Sequence, residues 1–72
     1  MMVHENIQYY NISNIEMYYF LAKDMLEIKL GALSIELIIM LGSSSIVQLK
    51  SIIEFIDEIN NENDVKQLLQ II

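Results

Sequence analysis

The sequence predicts a small α+β domain: an antiparallel β-meander of three strands, extended to four if the N-terminal residues pair at its edge, followed by two C-terminal helices. Three observations predict it. Residues 26–37 alternate apolar and polar side chains around a central Gly31-Ala32, the period-2 signature of a half-buried hairpin. Residues 45–60, SIVQLKSIIEFIDEIN, carry their apolar residues at the 3.6-residue spacing of an amphipathic helix. After the polar break at 60–64, Val65, Leu68, Leu69 and Ile72 recur at that same spacing.

At the N-terminus, Val3, Glu5, Ile7 and Tyr9 alternate with His4, Asn6, Gln8 and Tyr10, which fits a short edge strand or an ordered arm. Residues 11–14, NISN, read as a turn. In the hairpin, strands 26–30 (LEIKL) and 33–37 (LSIEL) flank a two-residue loop with glycine first, the chemistry of a type II′ turn. That register sets Leu30 opposite Leu33, Ile28 opposite Ile35 and Leu26 opposite Leu37. Cross-strand partners share a face, so these side chains form one apolar surface, with Glu27, Lys29, Ser34 and Glu36 on the other. A tight turn at Lys23-Asp24 extends the sheet backwards and adds Met17, Tyr19 and Leu21 to the apolar face. The 45–60 helix then covers that face.

A competing reading is a compact all-α four-helix bundle, with helices near 14–30, 34–41, 45–60 and 64–72. Ser13 and Glu16 match a capping box, and Gly31 suits the position just beyond a helix C-terminus. Ile15, Tyr18, Tyr19, Ala22, Met25 and Leu26 form a helical stripe. Against it, 35–41 (IELIIML) has almost no polar side, and the hairpin alternation becomes coincidence.

Both readings share the 45–60 helix. Ser45 and Gln48 form a capping box. Ile46, Leu49, Ile52, Ile53, Ile56 and Ile59 take one face, and Gln48, Lys50, Ser51, Glu54, Asp57 and Glu58 the other, over about four turns. Asp64 with Gln67 resembles the start of a second, shorter helix.

The 72 residues make a single domain, 1–72. A chain this short buries only about 60% of its unfolded surface, yet 54% of its residues are apolar and none is cysteine. The surplus of apolar surface points to self-association, a homodimer first of all, or to a standing partner protein. Ten acids against four lysines give a net charge of −6, which disfavours nucleic acid and a polybasic membrane anchor. Residues 30–49 carry Glu36 as their one charge, so a membrane span must be weighed. Ser34, Gly42, the serines at 43–45 and Gln48 lower its hydropathy too far. With no cationic, apolar leader at its start and no cysteine, a cytoplasmic protein is expected.

No catalytic, cofactor-binding or metal-ligating residue is assigned, and the chain is expected not to be an enzyme. The sole histidine, His4, sits in the least patterned segment and cannot supply a multi-imidazole site. Glu54, Asp57, Glu58, Glu62 and Asp64 form an acidic patch without the glycine and ligand spacing of a calcium loop. It reads as a solvated helix face, or as the electrostatic half of a protein contact. The GSSS run at 42–45 has the shape of an anion site but lacks the lysine and remaining glycines of a P-loop. A linker with a helix N-cap accounts for it.

In the meander register, Tyr18 lies beside Lys29 as a cation–π candidate and Phe20 beside Glu27, with Ile38 and Met40 on the same side of the third strand. Tyr18, Phe20, Ile38 and Met40 are therefore the candidate protein interface. The expected function is a small acidic, non-enzymatic protein-binding module: an accessory, inhibitor or regulatory protein. The alternative is a helix-turn-helix DNA-binding regulator, since 33–49 superficially matches a helix, a glycine turn and a second helix. Three serines follow that glycine, and the would-be recognition helix has Lys50 as its one cation, both unfavourable to DNA contact.

Overall fold

A computed structural model of the chain describes residues 14–71. The edge strand or arm at 1–13, the Ser13 half of the first capping box, His4 and part of the NISN turn lie outside them. Four helices follow one another: α1 (Asn14–Leu30), α2 (Ile35–Gly42), α3 (Ile46–Glu54) and α4 (Glu62–Ile71), with a 3₁₀ turn at Ile56–Glu58 between the last two. Among the described residues there is no strand. The α+β prediction and its β-meander are thus overturned, and the competing four-helix reading gives nearly the observed limits.

The sheet reading failed at identifiable residues. Its register put Ile28 and Ile35 on the core face beside Leu26 and Leu37, yet Ile28 is 86% and Ile35 78% exposed while Leu26 and Leu37 are fully buried. Apolar residues at 18, 19, 22, 26 and 30 satisfy a helical stripe, and a helix closes its backbone hydrogen bonds without needing a partner strand. Gly31 misled because both readings require it. A type II′ turn needs a positive φ at its first central residue, and so does the residue that ends a helix. Gly31 has φ +85°, and its N–H donates to the Glu27 carbonyl at 2.9 Å, closing α1.

Ser34 then caps α2, its Oγ accepting from the Leu37 N–H at 3.2 Å. The serines after Gly42 form a connector, as expected. Ser43 Oγ donates to the Ile39 carbonyl at 3.1 Å, and the buried Ser44 donates to that of Met40 at 2.8 Å. Ser45 makes both halves of the predicted capping box: its N–H donates to Gln48 Oε1 at 2.8 Å and its Oγ accepts from the Gln48 N–H at 3.2 Å.

The helix predicted over 45–60 stops at Glu54. The last α-helical bond runs from the Phe55 N–H to the Ser51 carbonyl at 2.9 Å, and tighter three-residue bonds follow, from the Glu58 N–H to Phe55 O at 2.9 Å and from the Ile59 N–H to Ile56 O at 3.2 Å. Lys29 Nζ donates to Ile56 O at 2.7 Å, and the Asn60 N–H donates to Asp64 Oδ2 at 2.9 Å. The chain turns through Ile56–Glu58, extends at Ile59 and bends at Asn61. α4 begins two residues before the predicted Asp64, because Asn61 is its cap: Asn61 Oδ1 accepts from the Asp64 N–H at 2.9 Å.

The core draws on every helix. Ala22 and Leu26 come from α1, Leu37 and Leu41 from α2, Leu49 and Ile52 from α3, Val65 and Leu69 from α4, with Ile59 from the turn. Each large side chain buried this way contributes roughly 1.5–3 kcal/mol of transfer free energy. The α1–α3 pairing is the most extensive. No helix among the described residues is long and apolar enough to cross a membrane. The 30–49 window is cut by the connectors on either side of α2.

Candidate interaction surface

α1 is apolar on two sides. Its inner side places Tyr18, Tyr19, Ala22, Leu26 and Leu30 on or against the core. Its outer side presents Met17 and Phe20, each about half exposed, with Leu21 and Ile28. Positions 17, 21, 24 and 28 follow the i, i+4, i+7, i+11 course of one helix face, which runs about 16 Å. Asp24 is the charged member of that row. A solvated helix normally turns charge outward, so these side chains amount to an apolar strip with no covering element among the described residues.

The predicted interface residues do not share a face, because the sheet that united them is absent. Tyr18 and Phe20 stand about 200° apart around α1. Tyr18 packs partly buried against the core, whereas Phe20 is 54% exposed. Phe20 meets Tyr19 edge to face, with ring centroids 5.2 Å apart and planes at 64°. Ile38 and Met40 lie on α2, both half-buried, Met40 against the core. Of the four, Phe20 alone belongs to the outward strip. The cation–π pairing of Tyr18 with Lys29 is also corrected. Helical rise separates those positions by about 16 Å, and Lys50 of α3 takes the place, its Nζ 5.2 Å from the Tyr18 ring centroid. Met17, Leu21 and Ile28 were missed because the strand register counted them as core. The helical stripe would have exposed them as the apolar residues it left over.

A second feature lies at the other end of the chain. Phe55, Ile59 and Leu68 line a groove of about 320 Å³, whose remaining walls are Glu58, Asp64 and Gln67. The acidic patch read from the sequence therefore splits. Glu58 and Asp64 border this groove, while Glu62 turns away towards α2. Ser34 donates to Glu62 twice, from Oγ at 2.6 Å and from its N–H at 2.9 Å. These two bonds hold the Glu62 carboxyl below its usual pKa. One turn further along α4, Lys66 Nζ donates to Glu36 Oε1 at 2.7 Å, which raises its pKa above the ordinary lysine value.

Among the described residues, no group of three or more His, Cys, Asp or Glu side chains could hold a metal ion. α2, its short connector and α3 do form a helix–turn–helix pair, but the cations a phosphate backbone needs are engaged elsewhere. All four lysines have intramolecular contacts: Lys23 with Glu27 at 3.3 Å, Lys66 with Glu36, Lys29 with the Ile56 carbonyl and Lys50 with Tyr18. They form no stripe along α3. Comparison with protein-family models, with curated proteins and with solved structures returned no match.

Proposed function

We propose that this chain is a small acidic, non-enzymatic protein-interaction module of the cytoplasm, an accessory, inhibitor or regulatory protein that acts by occupying a surface on another protein. The outer side of α1 carries the reading. Met17, Phe20, Leu21 and Ile28 are large apolar side chains held out of the core on a rigid helix, the arrangement by which helices present anchors to a partner. A second copy of the chain is its first occupant. An apolar strip is self-complementary, so two copies related by a two-fold axis cover each other's exposed Met17, Phe20, Leu21 and Ile28 side chains.

Light scattering after size-exclusion chromatography tests this on the full chain. A discrete dimer is expected, converted to monomer by Met17→Ser combined with Ile28→Ser. The helical far-UV circular dichroism should be retained, because neither residue belongs to the core. A wild-type chain that stays monomeric at high micromolar concentration, or a double variant that assembles as before, overturns the reading.

A further inference from the structure

We infer that the groove between the 3₁₀ turn and α4 is a second, separate docking site, and that its occupant is a cationic amphipathic segment of another protein: an apolar side chain flanked by lysine or arginine. The floor supplies the apolar half. Phe55 remains 42% exposed although it follows directly on α3, and Leu68 and Ile59 continue its surface, Ile59 almost wholly buried. The volume of about 320 Å³ accommodates one or two large side chains rather than a whole domain.

The walls supply the charge. Glu58 and Asp64 border the floor, and neither ion pair of the described chain involves them. Asp64 is held in place by the Asn60 N–H on one of its oxygens, so its carboxylate is fixed beside the groove rather than free to swing away. Glu54 and Asp57 are exposed nearby in sequence, and residues 51–65 contain no lysine or arginine. The chain's lysines are engaged elsewhere: Lys66 with Glu36, Lys29 with the Ile56 carbonyl, Lys50 with the Tyr18 ring and Lys23 with Glu27. An apolar floor with one sign of charge around it selects an apolar anchor of the opposite sign and steers it in from a distance. The chain's own surface does not match that description, since its lysines are few and engaged. A heterologous partner therefore fits this groove, whereas a second copy fits the outer side of α1.

The experiment uses ¹⁵N-labelled full-length chain titrated with a synthetic amphipathic helix of leucine and lysine, and with control peptides carrying glutamate for lysine or serine for leucine. The leucine–lysine peptide is expected to shift the amides of Phe55, Glu58, Gln67 and Leu68. Its affinity should fall as salt rises, and by roughly tenfold with Glu58→Lys or with Gln67→Lys. Both substitutions leave the core untouched, so they serve where Phe55→Ser perturbs folding. Equal binding of the glutamate control, equal affinity for the lysine variants, or shifts confined to Met17, Leu21 and Ile28 each overturn the proposal. The oligomeric state of the same samples reports separately on α1, so the failure of one site does not imitate failure of the other.

Discussion

The first and last helices of the described chain join the molecule by different means. α1 lays Ala22 and Leu26 into the core and packs most extensively on α3. Among the described residues its ion pair, Lys23 with Glu27, is internal to the helix, and its polar links to neighbours are Lys29 with the Ile56 carbonyl and the Tyr18 ring under Lys50. α4 also buries two residues, Val65 and Leu69, but reaches its neighbours through polar groups. Ser34 donates to Glu62, Lys66 donates to Glu36, and Gln48 Nε2 donates to the Leu69 carbonyl at 3.1 Å. An apolar attachment is insensitive to pH and tolerant of sliding. A hydrogen-bonded one fixes register and depends on charge. α1 thus behaves as the keel of the fold, and α4 as a strap whose tension varies with conditions.

Cutting the apolar attachment should give the largest effect. Leu26→Ala removes a fully buried side chain where α1 meets the core, at a cost of about 2–5 kcal/mol. In so small a domain that is a large share of the total stability. Urea denaturation followed by circular dichroism should show the midpoint collapse across the whole chain, α4 included.

Cutting the polar attachment should be milder and more local. Ser34→Ala removes both the N-cap of α2 and the hydroxyl donor to Glu62, for about 0.5–2 kcal/mol. Combined with Glu62→Gln, the two changes should be less than additive, since they break one shared contact. Hydrogen exchange should show the loss concentrated in α2 and α4, with α1 amides nearly unchanged. Equal loss in α1 would erase the distinction between the two helices.

The smallest effect, and the sharpest discriminator, is pH. Glu62 titrates below its ordinary 4.5 in the folded chain because Ser34 donates to its carboxylate. Its contribution is therefore complete above about pH 4.5 and lost as pH falls through the lower folded value. Lys66 titrates above its ordinary 10.5, so its contribution is complete below that and lost as pH rises through the folded value. Both groups lie half-buried at the surface, within reach of solvent screening, so the amplitudes should be modest. α4 should loosen at both extremes before α1 does, and Glu62→Gln should flatten the acid limb alone.

The same contrast explains which parts of the molecule were legible in the sequence. The Ser45–Gln48 cap and the Leu49/Ile52 stripe of α3 depend on neighbours within one or two turns, and both were read correctly. The chain from 14 to 41 obeys two periodicities at once, because α1 is apolar on both sides and α2 nearly so. Alternation and helical spacing then fit the same residues, and local pattern has no means of choosing between them. Phe20 was singled out as exposed for a reason that did not survive, whereas Ile28 was assigned to the core and stands in solvent. The early end of α3 escaped local pattern, because the apolar spacing of 46–59 runs on through the 3₁₀ turn without marking where the helix tightens. The groove residues were visible as an acidic patch, but its apolar floor arises only where the turn lays Phe55 beside Leu68.

Lys29 has one more consequence. Tyr18 meets Lys50 and, further along both segments, Lys29 meets Ile56, so α1 and α3 run side by side in the same direction. Their peptide dipoles then point the same way, and two partial negative charges of about half an electron gather at one end of the molecule. Lys29 stands in the last turn of α1 and donates to the Ile56 carbonyl just past the end of α3. A single ammonium thus screens both poles, offsetting the mutual repulsion of parallel helices at the place where it is greatest.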